Sequence, residues 1–360
     1  MPTPLELQVK ELEKAGVQIK KGIRTIKSDK SASMSEKAQD TWLLRWAKHS
    51  AQNYPVISRS DGVRFLEGAG ANIPAFVVGI GPSLDDNILT LREAFGRAII
   101  IATDASLRPL LAKGIKPDIV ISFDCQKDQQ TLWSHLPPEA REIPMIANSC
   151  THPDTIKTWP GPLMFFNQWH TKDVFSERLL HYIYPHLGDI PSIGTVGNMG
   201  IMLAYKMGCN PIMTAGMDLC YQKRGDGWKY RCQDYIYGKD DRDVWGWWKK
   251  ENKTLYDNDD RVKRSFDKKI GQTVYRLDPE LDNYQEGLAG LTDGLRIKII
   301  DCSAHGLLKE YFRSMTVAQA INEFCTNVLS YGRTTLFHLS KIVKDGRKQW
   351  EEDSKNGSRY

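Results

Sequence analysis

Short apolar runs alternate with helical patterns along most of the chain. The runs are Ile73–Val78, Ala98–Ala102, Asp118–Phe123, Pro144–Ala147, Leu163–Phe166, Pro211–Thr214 and Arg296–Ile300. Several are apolar at consecutive positions rather than alternate ones, as parallel strands covered on both faces require. The pattern predicts an α/β fold built on a doubly wound, mostly parallel, Rossmann-like sheet. Ahead of it, Leu5, Val9, Leu12, Val17, Ile23 and Ile26 stand among Lys and Glu residues and predict an amphipathic helix. Ser31 to Ser35 marks a break. A second helix is expected over Glu36–Gln52 with Trp42, Leu43 and Trp46 on its buried face.

Tyr221 to Tyr284 interrupts the rhythm with Trp228, Trp245, Trp247, Trp248, seven tyrosines and mixed charges. A connection of that length is a lid or small subdomain rather than a plain loop. Its aromatics would either stack on sugars or bases, with Lys249 and Lys250 nearby for phosphate, or form a small core of their own. The expected organisation is a helical extension over 1–52, an α/β domain over 53–325 with an aromatic-rich insertion at 221–285, and a helical tail over 326–360.

The carboxyl ends of such strands are where ligands sit. Here they carry Gly79-Ile-Gly81, Thr103-Asp104, Asp124, Asn148-Ser149, Asn167, Gly216-Met-Asp218 and Asp301-Cys-Ser303. About half are expected to touch ligand and the rest to cap helices, Asp104 and Ser303 being good cap candidates. The most pointed of them is Gly79-Ile-Gly-Pro-Ser-Leu-Asp85. Gly79 permits a sharp turn, and Gly81 removes a Cβ so that backbone N–H groups can approach an anion. Pro82 suits the first helical position, and Ser83 puts a hydroxyl at the positive end of the helix dipole. The turn lacks the Gly-Lys-Ser/Thr ending of a P-loop, and Leu84 stands where a dinucleotide fingerprint has its third glycine. It therefore predicts a nucleotide-phosphate cradle of another kind, against the alternative of a turn without ligand.

Composition narrows the classes. With 360 residues, 41% hydrophobic, the chain can bury a full core. No apolar stretch reaches the length of a membrane span, and the N-terminus lacks a signal-peptide core. Seven cysteines without a C-x-x-C pair fit reduced thiols and a cytoplasmic location. A net charge of +5 with interspersed signs makes nucleic acid an unlikely partner. His152, His170, His181 and His186 lack metal-ligand spacing, and Cys125 beside Asp124 is expected to be an inert buried thiol.

Val77-Val-Gly-Ile-Gly-Pro-Ser-Leu-Asp85, Ile99 to Ala105, Gly114-Ile-Lys-Pro-Asp118 and Ser122-Phe-Asp124 resemble a domain shared by two groups. These are the motility-associated flagellin glycosyltransferases and the archaeal 6-hydroxymethylpterin diphosphokinases. The likeness continues through Gly208-Cys-Asn-Pro-Ile212, Gly216-Met-Asp-Leu219 and Ile300 to Gly306, and spans roughly Asn53 to Phe324. Thr195-Val-Gly197, Ala204, Gly208, Ile212, Gly216, Asp218 and Tyr221 are also similar in order to bacterial sialyltransferases that use CMP-sialic acid. These resemblances imply a sialyltransferase-like fold and a glycosyltransferase with a nucleotide-sugar donor, CMP-nonulosonate favoured. They imply a glycan, protein or small-molecule acceptor. The alternative they imply is Mg²⁺-dependent pyrophosphate transfer from ATP, with Asp104, Asp124 and Asp218 as metal candidates.

On this likeness Gly79, Gly81, Pro82, Ser83, Thr103, Asp104, Thr195, Gly197 and Asn198 would bind the nucleotide. Asp124 and Asp218 would be catalytic. One departure stands out: the sialyltransferases place a catalytic histidine before the last strand, whereas no histidine lies between His186 and His305. Homo-oligomerisation through the N-terminal helices is a further expectation.

Overall fold

The computed structural model describes residues 42–125, 132, 136–169, 175–192, 194–224, 227–229, 231–232, 263–267, 272–277, 279–292, 298–303, 306–329, 348 and 352. The strands in chain order are β1 (Asp61–Gly62), β2 (Ala75–Val78), β3 (Ile99–Thr103), β4 (Ile119–Ser122), β5 (Met145–Asn148), β6 (Leu163–Trp169), β7 (Asp189–Pro191) and β8 (Ile212–Ala215). The insertion adds β9 (Tyr221–Arg224), β10 (Gly227–Lys229), β11 (Lys263–Asp267) and β12 (Gln272–Leu277), and β13 (Ile299–Asp301) and β14 (Arg313–Ser314) follow. The helices are α1 (42–57), α2 (Leu84–Leu91), α3 (Leu107–Ala112), α4 (Pro153–Thr158), α5 (Phe175–Ile183), α6 (Val196–Lys206), α7 (Pro279–Thr292) and α8 (Val317–Phe324).

All seven apolar runs are strands of one sheet in the order β1-β6-β5-β4-β3-β2-β8-β13-β14, with β7 extending β6, and every pairing in it is parallel. The α/β, Rossmann-like expectation holds. Consecutive apolar residues are needed because both faces are packed. Phe76 and Val78 of β2 join Leu84, Ile88 and Leu91 of α2 and Leu107 and Leu110 of α3. Ala75 and Val77 join Met199, Met202 and Leu203 of α6 and Leu288 of α7. From β2 the chain winds outward through β3 to β6, then returns to β8 on the other side. The topological switch, where such folds form their crevice, therefore lies between β2 and β8.

Helix α1 docks on the main sheet: Ile57 is fully buried, and Asn53 Nδ2 donates to the Thr151 carbonyl at 2.8 Å and the Ser149 carbonyl at 3.3 Å. The helix expected from Leu5 to Ile26 lies outside the described residues, as do Trp245, Trp247, Trp248, Lys249, Lys250 and His305. The insertion carries its own antiparallel sheet, ordered β10-β9-β12-β11. No helix among the described residues is long and apolar enough to cross a membrane.

Candidate functional site

The glycine turn between β2 and α2 is filled from within its own chain. Gly79 N–H donates to the Ala215 carbonyl at 2.8 Å and Gly81 N–H to the Gly216 carbonyl at 2.7 Å. Ser83 donates twice to Asp218 Oδ2, from its backbone N–H at 3.1 Å and its hydroxyl at 2.9 Å. Gln222 Nε2 donates to the other oxygen, Oδ1. A Cβ on Gly81 would collide with the Asp218 carboxylate, and one on Gly79 would stand 2.5 Å from the Gly216 carbonyl oxygen. The missing Cβ atoms thus serve a close approach of two loops, after β2 and after β8.

Two groups of expected site residues are thereby tied into the fold. The turn's donors at Gly79, Gly81 and Ser83 are engaged by backbone and by Asp218, so the anion they meet is the protein's own. Asp218, expected as a catalytic carboxylate, is 1% exposed and serves as an acceptor that ties β8 to the start of α2. The buried side chain of Met217 lies between the glycine turn and the start of α6. A Cβ on Gly197, at the start of α6, would collide with its sulfur, and one on Gly79 would stand 2.8 Å from it. Ser303, expected as a helix cap, instead accepts the Met217 N–H at 2.9 Å on its hydroxyl oxygen.

One strand along, the chemistry differs. Asp104 ends β3 and is 5% exposed. Its Oδ1 accepts the Ala105 N–H at 2.8 Å and its Oδ2 accepts the Ser122 hydroxyl at 3.0 Å. Burial is the main force pushing its carboxyl up to about 7, and the charge of Asp124 adds to it. Arg231, from the insertion, pulls in the opposite direction. Asp124 follows β4, half-exposed. Its charge also reaches the neighbouring Cys125 thiol, which burial first and Asp124 second push up to about 11. Cys125 is accordingly a buried, unreactive thiol. Asp104 and Asp124, on the adjacent strands β3 and β4, are the carboxylates whose charges interact.

The remaining expected residues lie at the end of β3, at the start of α6 and in the glycine turn. Thr103 lies beside the start of α6: a Cβ on Gly197 would be 3.9 Å from its Cγ2. Its hydroxyl donates to Ser106 Oγ at 3.1 Å. Thr195 is the N-cap of α6, its hydroxyl oxygen accepting the Asn198 N–H at 3.1 Å. Asn198 Nδ2 donates to the Tyr284 carbonyl at 3.2 Å, fastening α6 to α7. Pro82 is buried in the first turn of the glycine loop. Arg231 and Ser122 were missed from sequence: the first lies in a stretch of mixed charges, and the second carries no local signal beyond its strand-end position. Of the four histidines set aside, His152 accepts the Asp154 N–H at 3.1 Å on Nδ1 and caps α4. Among the described residues no group of three or more His, Cys, Asp and Glu side chains is arranged to hold a metal ion. Two carboxylates are nevertheless enough for Mg²⁺, which completes its shell with water and phosphate.

Residues 48–224 match the family model described as 6-hydroxymethylpterin diphosphokinase MptE-like, the likeness that the motifs led us to expect. No curated protein matches the chain. Among solved structures, the MAf glycosyltransferase from Magnetospirillum magneticum AMB-1 is similar at 18% identity and a TM-score of 0.54, over 88% of this chain and 45% of that one. The chain thus spans less than half the length of that protein, and the likeness is one of fold. The monofunctional alpha-2,3-sialyltransferase Cst-I from Campylobacter jejuni aligns at 12% identity over 77% of this chain and 95% of that one, with a TM-score of 0.27, too low to carry an argument.

Proposed function

We propose that this α/β domain is the core of a nucleotide-dependent transferase, and that it transfers a glycosyl group from a nucleotide sugar. The observation that carries the proposal is the presence of Asp104 and Asp124 at the tips of the neighbouring strands β3 and β4, where burial and the charge of Asp124 raise Asp104 to about 7 while the charge of Arg231 opposes the rise. A carboxyl poised near neutrality is matched to taking a proton from a hydroxyl. In the proposed step an acceptor oxygen gives its proton to this pair and bonds to the anomeric carbon. The bond from that carbon to the phosphate oxygen breaks, and the nucleotide departs with the electron pair. Arg231 and the amino end of α6 would stabilise the charge on the leaving phosphate. The resemblance to a glycosyltransferase fold supports this reading, and the sialyltransferase-like motif order makes a CMP-nonulosonate the favoured donor. A glycan, protein or small molecule would be the acceptor.

The carboxylate pair itself favours one second reading, pyrophosphate transfer from ATP to a pterin-like alcohol. Asp104 and Asp124 would hold Mg²⁺, which would neutralise charge on the transferring phosphates. A single experiment separates the two. Thermal shifts with CMP, CDP, UDP, GDP and ATP, with and without Mg²⁺, are followed by product analysis with the corresponding nucleotide sugars. Metal-independent release of one nucleotide is expected. Strictly Mg²⁺-dependent AMP formation without sugar-nucleotide turnover would replace the first reading by the second. No stabilisation by any nucleotide would overturn both.

A further inference from the structure

Helices α1 and α5 pack side by side on the α2-facing side of the sheet, where Ile57 of α1 and Tyr184, the residue after α5, join the core. Each turns one face toward the sheet. From α1, Asn53 reaches the Ser149 and Thr151 carbonyls and His49 Nδ1 donates to the Cys150 carbonyl at 3.3 Å. From α5, His181 meets Asp189 of β7 at 3.3 Å. Tyr184 links the two helices. Its hydroxyl donates to the Ser50 carbonyl at 2.9 Å and accepts the Ser50 hydroxyl at 3.3 Å, and its ring lies 6.1 Å from that of Tyr54.

The faces turned outward are apolar. Of the nine large hydrophobic side chains exposed among the described residues, six lie on these two helices: Leu43, Leu44 and Tyr54 on α1, and Leu179, Tyr182 and Ile183 on α5. With about 3.6 residues per turn, Leu43 and Tyr54 fall on the row beside Ser50, the residue that meets Tyr184. Leu44 lies further toward solvent, with exposed Ala47 and Ala51 between. On α5, Leu179 and Ile183 form the matching row on the side away from His181. Single exposed apolar residues are ordinary, but a groove lined by six of them along two adjacent helices marks a surface that something covers.

The chain carries a segment of matching pattern. Ahead of α1, Leu5, Val9, Leu12, Gly16, Ile19, Ile23 and Ile26 recur at alternating steps of four and three residues among Lys and Glu, the spacing of a coiled-coil seam. So narrow a stripe suits the groove between two helices, where side chains interdigitate, better than a broad sheet face. At about 1.5 Å per residue, a helix over 5–26 would be about 33 Å long, enough to run the length of α1, about 24 Å. Residues 27–41 join it to the end of α1 that bears Leu43 and Leu44, and Ser31, Ser33 and Ser35 lie in that connection. Turning back there crosses only about 8–10 Å between helix axes. The tether also holds the segment at an effective concentration in about the millimolar range, which an unlinked partner would have to match.

We propose that residues 5–26 dock as an antiparallel helix in the groove between α1 and α5, with Ile23 and Ile26 against Leu43 and Leu44 and with Leu5 and Val9 toward Tyr54 and Ile183. This goes beyond the transferase reading and does not depend on it. The docked helix braces α1 from outside. In turn α1 holds the loop after β5, whose His152 N–H donates to the Asp124 carbonyl at 3.3 Å, so the segment steadies one tip of the candidate site from a distance.

All seven native cysteines are buried, so an introduced pair at the surface can be cross-linked selectively. The full chain carrying Val9→Cys with Ile183→Cys is treated with a short bismaleimide, beside a control that pairs Val9→Cys with Leu89→Cys at an exposed position of α2. We expect the first pair to cross-link within one chain at least tenfold faster than the control. Limited trypsin digestion, followed by mass spectrometry at Lys10, Lys14, Lys20 and Lys21, should accelerate at least tenfold when Ile19→Asp interrupts the seam or Leu179→Asp interrupts the groove. A cross-link between two chains, with a doubled mass in light scattering that Ile19→Asp abolishes, would seat a second copy in the groove and overturn the proposal. Equal cross-linking of both pairs, with tryptic rates that neither substitution changes, would leave the segment undocked and overturn it as well.

Discussion

The tips of β2 and β8 and the tips of β3 and β4 lie side by side on one sheet edge, yet they have opposite chemistry. At the first, Asp218 accepts from Ser83 twice and from Gln222, the glycine N–H groups meet carbonyls, and Met217 lies between the turn and α6. At the second, a buried carboxyl has been raised to about 7 by desolvation and by a second carboxylate beside it. A satisfied ion is a fastener, because any reaction that used it would first have to break the bonds that hold it. A carboxyl held near neutrality can change protonation state without dismantling the loop around it. On the proposed reading, the switch point is structural and the chemistry lies one strand further out.

The most demanding way to break this contrast is to remove each carboxylate separately. Asp104→Asn and Asp124→Asn are expected to lower turnover by about 10²–10⁴-fold, the range for loss of a positioned acid–base group. Neither should lower Tm. The protonation behaviour of Asp104 sharpens the case. Its carboxyl sits at about 7 against an ordinary 3.8, so between those values the folded protein keeps a proton that the unfolded chain has released. Stability should therefore fall as pH rises through that interval, and urea titrations at several pH values should show the fall diminished in Asp104→Asn. A pH-independent difference between the two proteins would contradict the buried, raised carboxyl.

For Asp218 the expected effects reverse. Asp218→Ala strips two bonds from Ser83, one of them from a backbone N–H, and leaves those donors buried. The loss should be about 2–4 kcal/mol, the scale of removing a hydrogen-bonded buried charge. Urea denaturation reads it as a lower midpoint at an unchanged slope. Residual turnover per folded molecule should stay close to wild type. If instead the variant unfolds like wild type and turns over nothing, Asp218 is the catalyst and the two regions exchange roles.

Why the sequence revealed the sheet but not the bonding around the glycine turn follows from the range of each interaction. Strands such as Ile99–Thr103 are legible because burial on both faces demands unbroken apolar runs. The edge strands Asp61–Gly62 and Arg313–Ser314 have only two residues each and no apolar pattern to betray them. The strand-end rule picked out Asp104, Asp124 and Asp218 alike, but which of them are neighbours depends on strand order: β4 neighbours β3, while β8 lies beyond β2. A glycine turn reports only that something approaches closely. Whether that is a phosphate or the carboxylate of a residue 135 positions away is not a local property.

The smallest expected effect tests how far the structural region extends toward α6. Thr195 was expected to offer its hydroxyl to the ligand, and the structure shows its oxygen capping α6 through the Asn198 N–H. If capping is its whole role, Thr195→Ala should lower stability by about 1 kcal/mol, and Thr195→Ser should restore most of it. Nucleotide affinity should be unchanged in both, because the helix N–H groups and their dipole survive the loss of one hydroxyl. A fall in affinity in Thr195→Ala that Thr195→Ser rescues, with stability unaltered, would instead extend the binding surface from the β3 and β4 tips across Thr103 to the start of α6. The dividing line between fastener and site would then run through Met217, between the glycine turn and the helix.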